Sequence, residues 1–202
     1  MSSGKKAALL IILILIADQI LKLWVKTHMV IGQEIHLFGN WGLLHFIENN
    51  GMAFGMEMGG KTGKIVLSLF RMVAIAGICW FLLSLIKKKS NIYLILSVSA
   101  IMAGAIGNLI DSAFYGMIFS ESYSQPAVLF PPEGGYSSFL LGRVVDMFYF
   151  PVINTHWPDW SPFRPDQTFV FFRPVFNIAD SSITCGVFAI VLFQKKMFRD
   201  IK

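Results

Sequence analysis

The chain has 202 residues, of which 55% are hydrophobic and 14% charged, with a formal net charge of +5. So large an apolar share beside so few charges excludes an ordinary soluble globular domain and points to an integral membrane protein. The positive balance forms no basic stripe interleaved with aromatics, so no nucleic-acid partner is expected; it gathers at the ends of apolar runs, where it sets topology and attracts anionic membrane lipids.

About 20 apolar residues cross roughly 30 Å of hydrocarbon as a helix. Such windows run from Ala7 to Val25, Ile65 to Ile86, Ile92 to Ile110 and Phe176 to Phe193. They predict an all-α polytopic membrane protein with four transmembrane helices, over about 7–26, 65–86, 91–111 and 176–194, in a single membrane-embedded domain. Lys5 and Lys6 precede the first window as in a signal peptide. Its apolar pattern, however, continues past Asp18 to Val25 with no small-x-small cleavage site, so a retained helix is expected.

Lysines and arginines mark the cytoplasmic ends of membrane helices. Lys5 and Lys6, then Lys87, Lys88 and Lys89, then Lys195, Lys196, Arg199 and Lys202 place both termini in the cytoplasm. The loops over about 27–64 and 112–175 then face outward. The first, with IHLFGNWGLLHFIENNGMAFGM from Ile35 to Met56, breaks short apolar runs with glycine and asparagine, which predicts short strands and turns. The second holds all eight prolines, from Pro126 to Pro174, among aromatics and Arg143, Arg164 and Arg173. It cannot be one helix, and a small β-containing outer module at headgroup level is expected. Cys79 and Cys185 fall within helices, so two buried thiols are expected in place of a disulfide.

Ionisable groups at membrane depth are costly and mark function by default. Asp18 and Lys22, at i, i+4 on the first helix, share a face and are expected to pair. Arg71, about two turns inside the second helix, either snorkels outward or neutralises a carboxylate. The third helix ends in MAGAIGNLID, Met102 to Asp111, where Ala100, Ala103, Gly104 and Gly107 give small-xxx-small spacing for close helix contact. Asn108 and Asp111 stand at i, i+3 there, as do Asn177 and Asp180 at the start of the fourth helix.

Asn177 fits an N-cap, with Asp180 favoured by the positive end of the helix dipole. Asp111 at a helix C-terminus is disfavoured by the dipole and needs a partner. Asp146 in GRVVDMF reads, alone, as a loop acid paired with Arg143. Three carboxylates at one rim nevertheless suggest acid–base chemistry, in which two carboxyls share a proton, one acting toward a water and the other toward a carbonyl. Spacing by itself pairs Asp111 with Asp180. No HExxH, GxSxG, nucleotide loop or metal-ligand spacing competes, and His28, His36, His45 and His156 lie outside the predicted helices.

IADQILK (Ile16 to Lys22), ENNGMAFG (Glu48 to Gly55), GAIGNLID (Gly104 to Asp111), GRVVDMF (Gly142 to Phe148) and FNIADSSI (Phe176 to Ile183) resemble, in order and topology, the motifs of lipoprotein signal peptidase, or signal peptidase II. The resemblance implies an intramembrane aspartic endopeptidase of the bacterial inner membrane, with its active site at the outer side. Its substrates would be diacylglyceryl-modified prolipoproteins, cut just before the lipidated cysteine. It implies no metal or organic cofactor, membrane lipids as surroundings and action as a monomer.

By the same resemblance the catalytic pair is Asp146 and Asp180. Asn49, Gly107, Asn108, Asp111, Asn177, Ala179, Asp18, Lys22 and Arg143 form the supporting or substrate-binding set. The chain departs from the pattern at Ser112, where family members commonly carry arginine, so that charge falls to Arg71 or Arg143. It also departs in the length of the second outer loop. Two readings from other classes stand beside the peptidase. A proton-coupled transporter would place its acids near the midplane on broken helices within a repeat; a non-enzymatic envelope assembly factor would tolerate Asp146→Asn and Asp180→Asn.

Overall fold

The structure is a computed structural model and describes residues 1–50, 60–156, 168–171 and 173–199. Residues 51–55 of the ENNGMAFG stretch, and Arg164, lie outside the described residues. Among the described residues, four helices are long and apolar enough to cross a membrane: α1 (Ser3–His28), α2 (Gly60–Lys87), α3 (Ile92–Ile110) with its continuation, and α5 (Ile178–Met197). Lipid offers no partners to backbone N–H and C=O groups, so spanning segments must satisfy them internally, and helices do so. Leu13, Ile20, Phe70, Trp80, Phe188 and Leu192 point outward and are exposed, as lipid-facing side chains should be.

Two helices run further than the apolar windows indicate. The first continues past Val25 to His28, whose Nδ1 lies 2.9 Å from the Trp24 carbonyl, so this histidine belongs to a helix after all. The third does not stop at Asp111. It passes through one π turn (Asp111–Tyr115) into a last α turn, α4 (Gly116–Ile118). A π turn inserts one residue and disturbs the i→i−4 ladder, and the loop that follows uses the carbonyls there: Gly142 N–H donates to Ser112 O at 2.9 Å and Leu140 N–H to Ala113 O at 3.2 Å. The expected pair of buried thiols is also corrected, since Cys79 is half-buried and Cys185 exposed.

The β-containing module is a four-stranded antiparallel sheet of β1 (Glu34–Phe38), β2 (Gly42–Asn49), β3 (Val144–Tyr149) and β6 (Val175–Phe176), in the order β1-β2-β3-β6. A separate hairpin pairs β4 (Ile153–His156) with β5 (Thr168–Phe171). Register fixes what meets what. Ile47 stands opposite Asp146 and Asn49 opposite Val144, while Phe148 pairs with Phe176 and Tyr149 with Val175. The chain leaves β6 directly into α5, so this short pairing delivers the start of α5 to the side of β3.

Two apolar clusters hold the assembly. Beneath the sheet, Val25, Met29, Phe46, Tyr115, Phe119 and Met147 pack together. At the basic end of the bundle, Ala7, Leu82, Leu85, Leu94, Ile95 and Met197 do so. Between them α3 and α5 approach closely because glycines line the seam: a Cβ on Gly104 would stand 2.2 Å from the Ala179 carbonyl, and one on Gly186 would stand 2.7 Å from that of Ser97. Ser182 Oγ bridges the same seam, donating to Ala100 O at 3.1 Å.

The layer between the clusters is polar and is organised by Lys22. Its ammonium, fully buried, lies 2.9 Å from Asp18 and 2.8 Å from Asp111 and donates to Asn108 Oδ1 at 3.0 Å. Asp18 in turn accepts from the backbone N–H of Ala179 at 2.9 Å. One cation thus ties α1 to α3, and one carboxylate ties α1 to α5. A buried charge is tolerable only when paired and hydrogen-bonded, and these partners supply both.

Two outcomes follow for thermal unfolding of the purified protein. Gly104→Val should destabilise by about 1–3 kcal/mol or more, the cost of overpacking a tight seam, whereas Gly77→Ala, where an added Cβ meets nothing within 4 Å, should be neutral or stabilising by up to about 1 kcal/mol from helix propensity. Lys22→Met should cost about 3–5 kcal/mol, because it leaves Asp18 and Asp111 facing each other in a buried layer without their cation.

Candidate active site

The site grows from the start of α5. Asn177 is the N-cap: its Oδ1 accepts from Asp180 N at 2.8 Å, and Asp180 Oδ2 accepts from Asn177 N at 3.4 Å, a reciprocal capping box. Capping uses only the oxygen of the side-chain amide. Its Nδ2 faces the other way and donates to Asp146 Oδ1 at 2.7 Å, with Asn108 Oδ1 at 3.1 Å and Val145 O at 3.3 Å also in reach. One asparagine therefore fixes the backbone that carries Asp180 and the carboxyl of Asp146.

Asn108 performs a parallel task from α3. Its Nδ2 donates to Asp180 Oδ1 at 2.7 Å, while its Oδ1 accepts a hydrogen bond from Lys22 Nζ at 3.0 Å. Asn49, at the end of β2, donates to the second oxygen of Asp146 at 3.3 Å. Asp146 and Asp180 thus sit in one polar pocket, each held by amide donors and neither held directly by a cation among these contacts. Burial, followed by the charge of Asp180, pushes the Asp146 carboxyl up to about 7, against the pull of Asn49, Lys22 and Asn177. A carboxyl in that state exchanges its proton near neutrality, as an acid–base group requires.

The glycine and alanine of the motifs have a steric reason. A Cβ on Gly107 would stand 2.9 Å from Asp18 Oδ2 and 3.2 Å from the Ala179 Cβ, so small residues at both positions let the Asp18 carboxylate lie between α3 and α5. Gly142, opening GRVVDMF, would place a Cβ 2.2 Å from the Asp111 carbonyl. Only glycine lets β3 start against the π turn.

Spacing alone joins Asp111 to Asp180, and the structure does not. Asp111 is consumed by Lys22, by Gln19 Nε2 at 3.0 Å and by Val145 N at 3.3 Å. Nor does Asp146 pair with Arg143. That guanidinium makes a two-nitrogen contact with Glu121, at 2.8 and 3.1 Å, reaches Glu48 at 2.9 Å and packs on the rings of Tyr123 and Tyr136. Glu48 also pairs with the buried Lys26, which bonds Ser122 Oγ at 3.0 Å.

Arg143 therefore fastens the long outer loop to the sheet, one strand-end away from the pocket. Arg71 donates to Ser112 Oγ at 3.1 Å and feels the charges of Asp180, Asp111 and Asp146, which sets α2 against the same pocket.

Gln19, Lys26, Glu48, Tyr115 and Glu121 escaped the reading of the sequence. Gln19 lies one residue after Asp18, inside IADQILK, and bridges Asp18, Asp111 and the Tyr115 hydroxyl. Its i, i+3 relation to Lys22 was the available signal. Lys26 follows Lys22 by four residues and carries the same signal. Glu48 and Glu121 meet only through the fold.

The family of signal peptidase II (SPase II) matches residues 10–195 of the chain. The lipoprotein signal peptidase of Porphyromonas gingivalis is 52% identical over 191 residues, covering 94% of this chain and 82% of that protein. That of Amoebophilus asiaticus is 38% identical over 187 residues, covering 91% and 75%. A bacterial membrane enzyme solved by the in meso method at 2.3 Å superposes with a TM-score of 0.61 over 98% of this chain and 93% of that one, at 23% identity, so the resemblance in fold outlasts that in sequence. With four membrane-length helices among its described residues and a family match over residues 10–195, the chain belongs to the signal peptidase II family of aspartic peptidases.

Proposed function

We propose that Asp146 and Asp180 are the catalytic pair with which this peptidase removes the signal peptide of prolipoproteins, cutting before a cysteine that already carries diacylglycerol. The observation that carries the assignment is Asn177, whose single side chain caps the helix bearing Asp180 and holds the carboxyl of Asp146. Asp111, the rival for either role, is occupied as a counter-ion of Lys22.

In the first step Asp146 holds the shared proton and Asp180 is ionised. Asp180 takes a proton from a water molecule as its oxygen attacks the scissile carbonyl carbon, and Asp146 gives its proton to the carbonyl oxygen. The tetrahedral intermediate then collapses: the carbonyl re-forms, its oxygen returning a proton to Asp146, the C–N bond breaks, and Asp180 passes its proton to the leaving amine of the cysteine. Asn49 and Asn108 hold the two carboxyls in the geometry this exchange needs. The basic helix ends support a topology with both termini in the cytoplasm and the pocket at the outer leaflet of the inner membrane. The substrate's acyl chains stay in the bilayer, where each buried CH₂ anchors the chain by about 0.8 kcal/mol; that anchor holds the lipidated cysteine at the level of the pocket, which gives a physical reason for requiring prior lipidation. In this reading the peptidase acts as a monomer.

A cleavage assay on a diacylglyceryl-modified prolipoprotein tests the pair. Asp146→Asn and Asp180→Asn should each remain folded and lose about 10²–10⁴-fold in kcat, the range of acid–base catalysis, while Asp111→Asn should keep measurable turnover. Normal cleavage by Asp146→Asn would remove the assignment. The pH profile supplies a second check. Asp146 must be protonated to act, and its carboxyl ionises near 7, so kcat/KM should fall as pH rises through about 7. Arg71→Gln takes a cation away from the carboxylates, which disfavours their ionised forms; the alkaline limb should then move to higher pH, and an unmoved limb would show that Arg71 does not tune the pair.

A further inference from the structure

A second feature lies at the opposite end of the bundle, on the lipid-facing side of the seam between α3 and α5. A cavity of about 500 Å³ opens there. Its floor is low because Ala100, Gly186 and Ala189 leave room where larger side chains would fill the seam, and Leu96 and Phe193 form apolar walls. From Cys185 to Lys196 it follows twelve residues of α5, roughly 16 Å at the usual rise. At its basic end stand Tyr93 and Lys196, with the Lys196 ammonium 5.5 Å from the Tyr93 ring centroid.

The charge at that mouth identifies the occupant. Lys195 and Lys196 stand near the end of α5, Lys87 ends α2 with Lys88 and Lys89 after it, and Lys5 and Lys6 lie in the first turn of α1. Among the described residues no carboxylate stands at this end to balance them. The next acid, Asp200, lies outside the described residues. An apolar trough closed by an ammonium that no carboxylate among the described residues meets fits an acyl chain with an anionic head. It fits a signal-peptide helix poorly, since the basic segment that precedes such a helix would meet Lys195 and Lys196.

We infer that the α3–α5 groove binds one anionic phospholipid, its acyl chain lying along Ala100, Gly186 and Ala189 and its phosphate on Lys196. The site is separate from the carboxylate pocket and does not depend on the reading of that pocket. A lipid there covers the helix seam that carries Gly104 and Ala179 toward the polar layer, so its binding stabilises the fold.

Native mass spectrometry of the detergent-purified protein, titrated with phosphatidylglycerol or phosphatidylcholine of equal chain length, tests this directly. One phosphatidylglycerol should bind ahead of any phosphatidylcholine. Lys196→Gln should weaken that event about fivefold, the contribution of one lysine near an anionic headgroup, and leave phosphatidylcholine unchanged. Lys88→Gln, which removes the same charge away from the groove, should change neither. Cys185→Phe, with Ala189→Leu as a second filler should the first not fold, should weaken both lipids.

Equal binding of the two lipids would overturn the inference, as would equal losses from Lys196→Gln and Lys88→Gln, which would mean diffuse charge. Fillers that spare lipid binding but lower kcat/KM would overturn it too, in favour of the substrate's helix as occupant. Cleavage by Lys196→Gln, measured on the same samples, keeps this result distinct from that of the aspartate variants.

Discussion

Everything at the sheet end of the bundle depends on an ammonium held between two carboxylates in a layer that excludes water. Lys22 is buried with Asp18 and Asp111 on either side, and desolvating three charges is costly unless each finds partners. The arrangement meets that cost by recruiting the rest of the molecule. Asp18 reaches the first turn of α5, Asp111 reaches the start of β3, and Lys22 itself reaches Asn108. The ions are less a source of net stability than a specification: only one relative placement of α1, α3, α5 and β3 leaves none of them unpaired.

From this frame the chemistry follows by exclusion. The three ions neutralise one another in large part, so the remaining acids, Asp146 and Asp180, are met chiefly by amides. Amides orient a carboxyl without forcing it to ionise, and burial then lifts Asp146 into the range where a proton can be exchanged. Counter-ions hold the frame and, in the reading proposed above, amide donors position the reactive acids with Arg71 as a nearby charge, although both sets lie in the same polar layer between two apolar clusters. The long outer loop is joined to this layer indirectly, through Arg143, Glu48, Glu121 and Lys26, and through the backbone donors it lends to the π turn.

Much of this was legible in the sequence because it is local. A spanning helix announces itself by an apolar window, the Asp18–Lys22 pair by its i, i+4 spacing, and the cap at Asn177 by its place before an apolar run. What was not legible is what the sheet decides. Asn108 with Asp111 and Asn177 with Asp180 look alike as short motifs, and nothing in either tells that one acid pairs with Lys22 while the other is met by the amide of Asn108. The difference comes from Asp146 lying opposite Ile47 and from Phe148 pairing with Phe176, contacts between residues far apart in the chain. The π turn was invisible for a related reason: no residue type demands one, and this one is sustained by Gly142 and its neighbours some thirty positions on.

Asn177 shows how tightly such a structure restricts its own variation. As a helix cap it has close substitutes, since serine, threonine and aspartate all offer an oxygen to the same backbone N–H. As a donor to Asp146 it has none among them: aspartate brings a third negative charge, and a hydroxyl is too short to face both ways at once. The two duties overlap in asparagine alone at this position, because its oxygen and nitrogen diverge from one trigonal carbon, one toward the helix backbone and the other toward Asp146. A residue that looks interchangeable by the rules of helix ends is therefore fixed by its other hand.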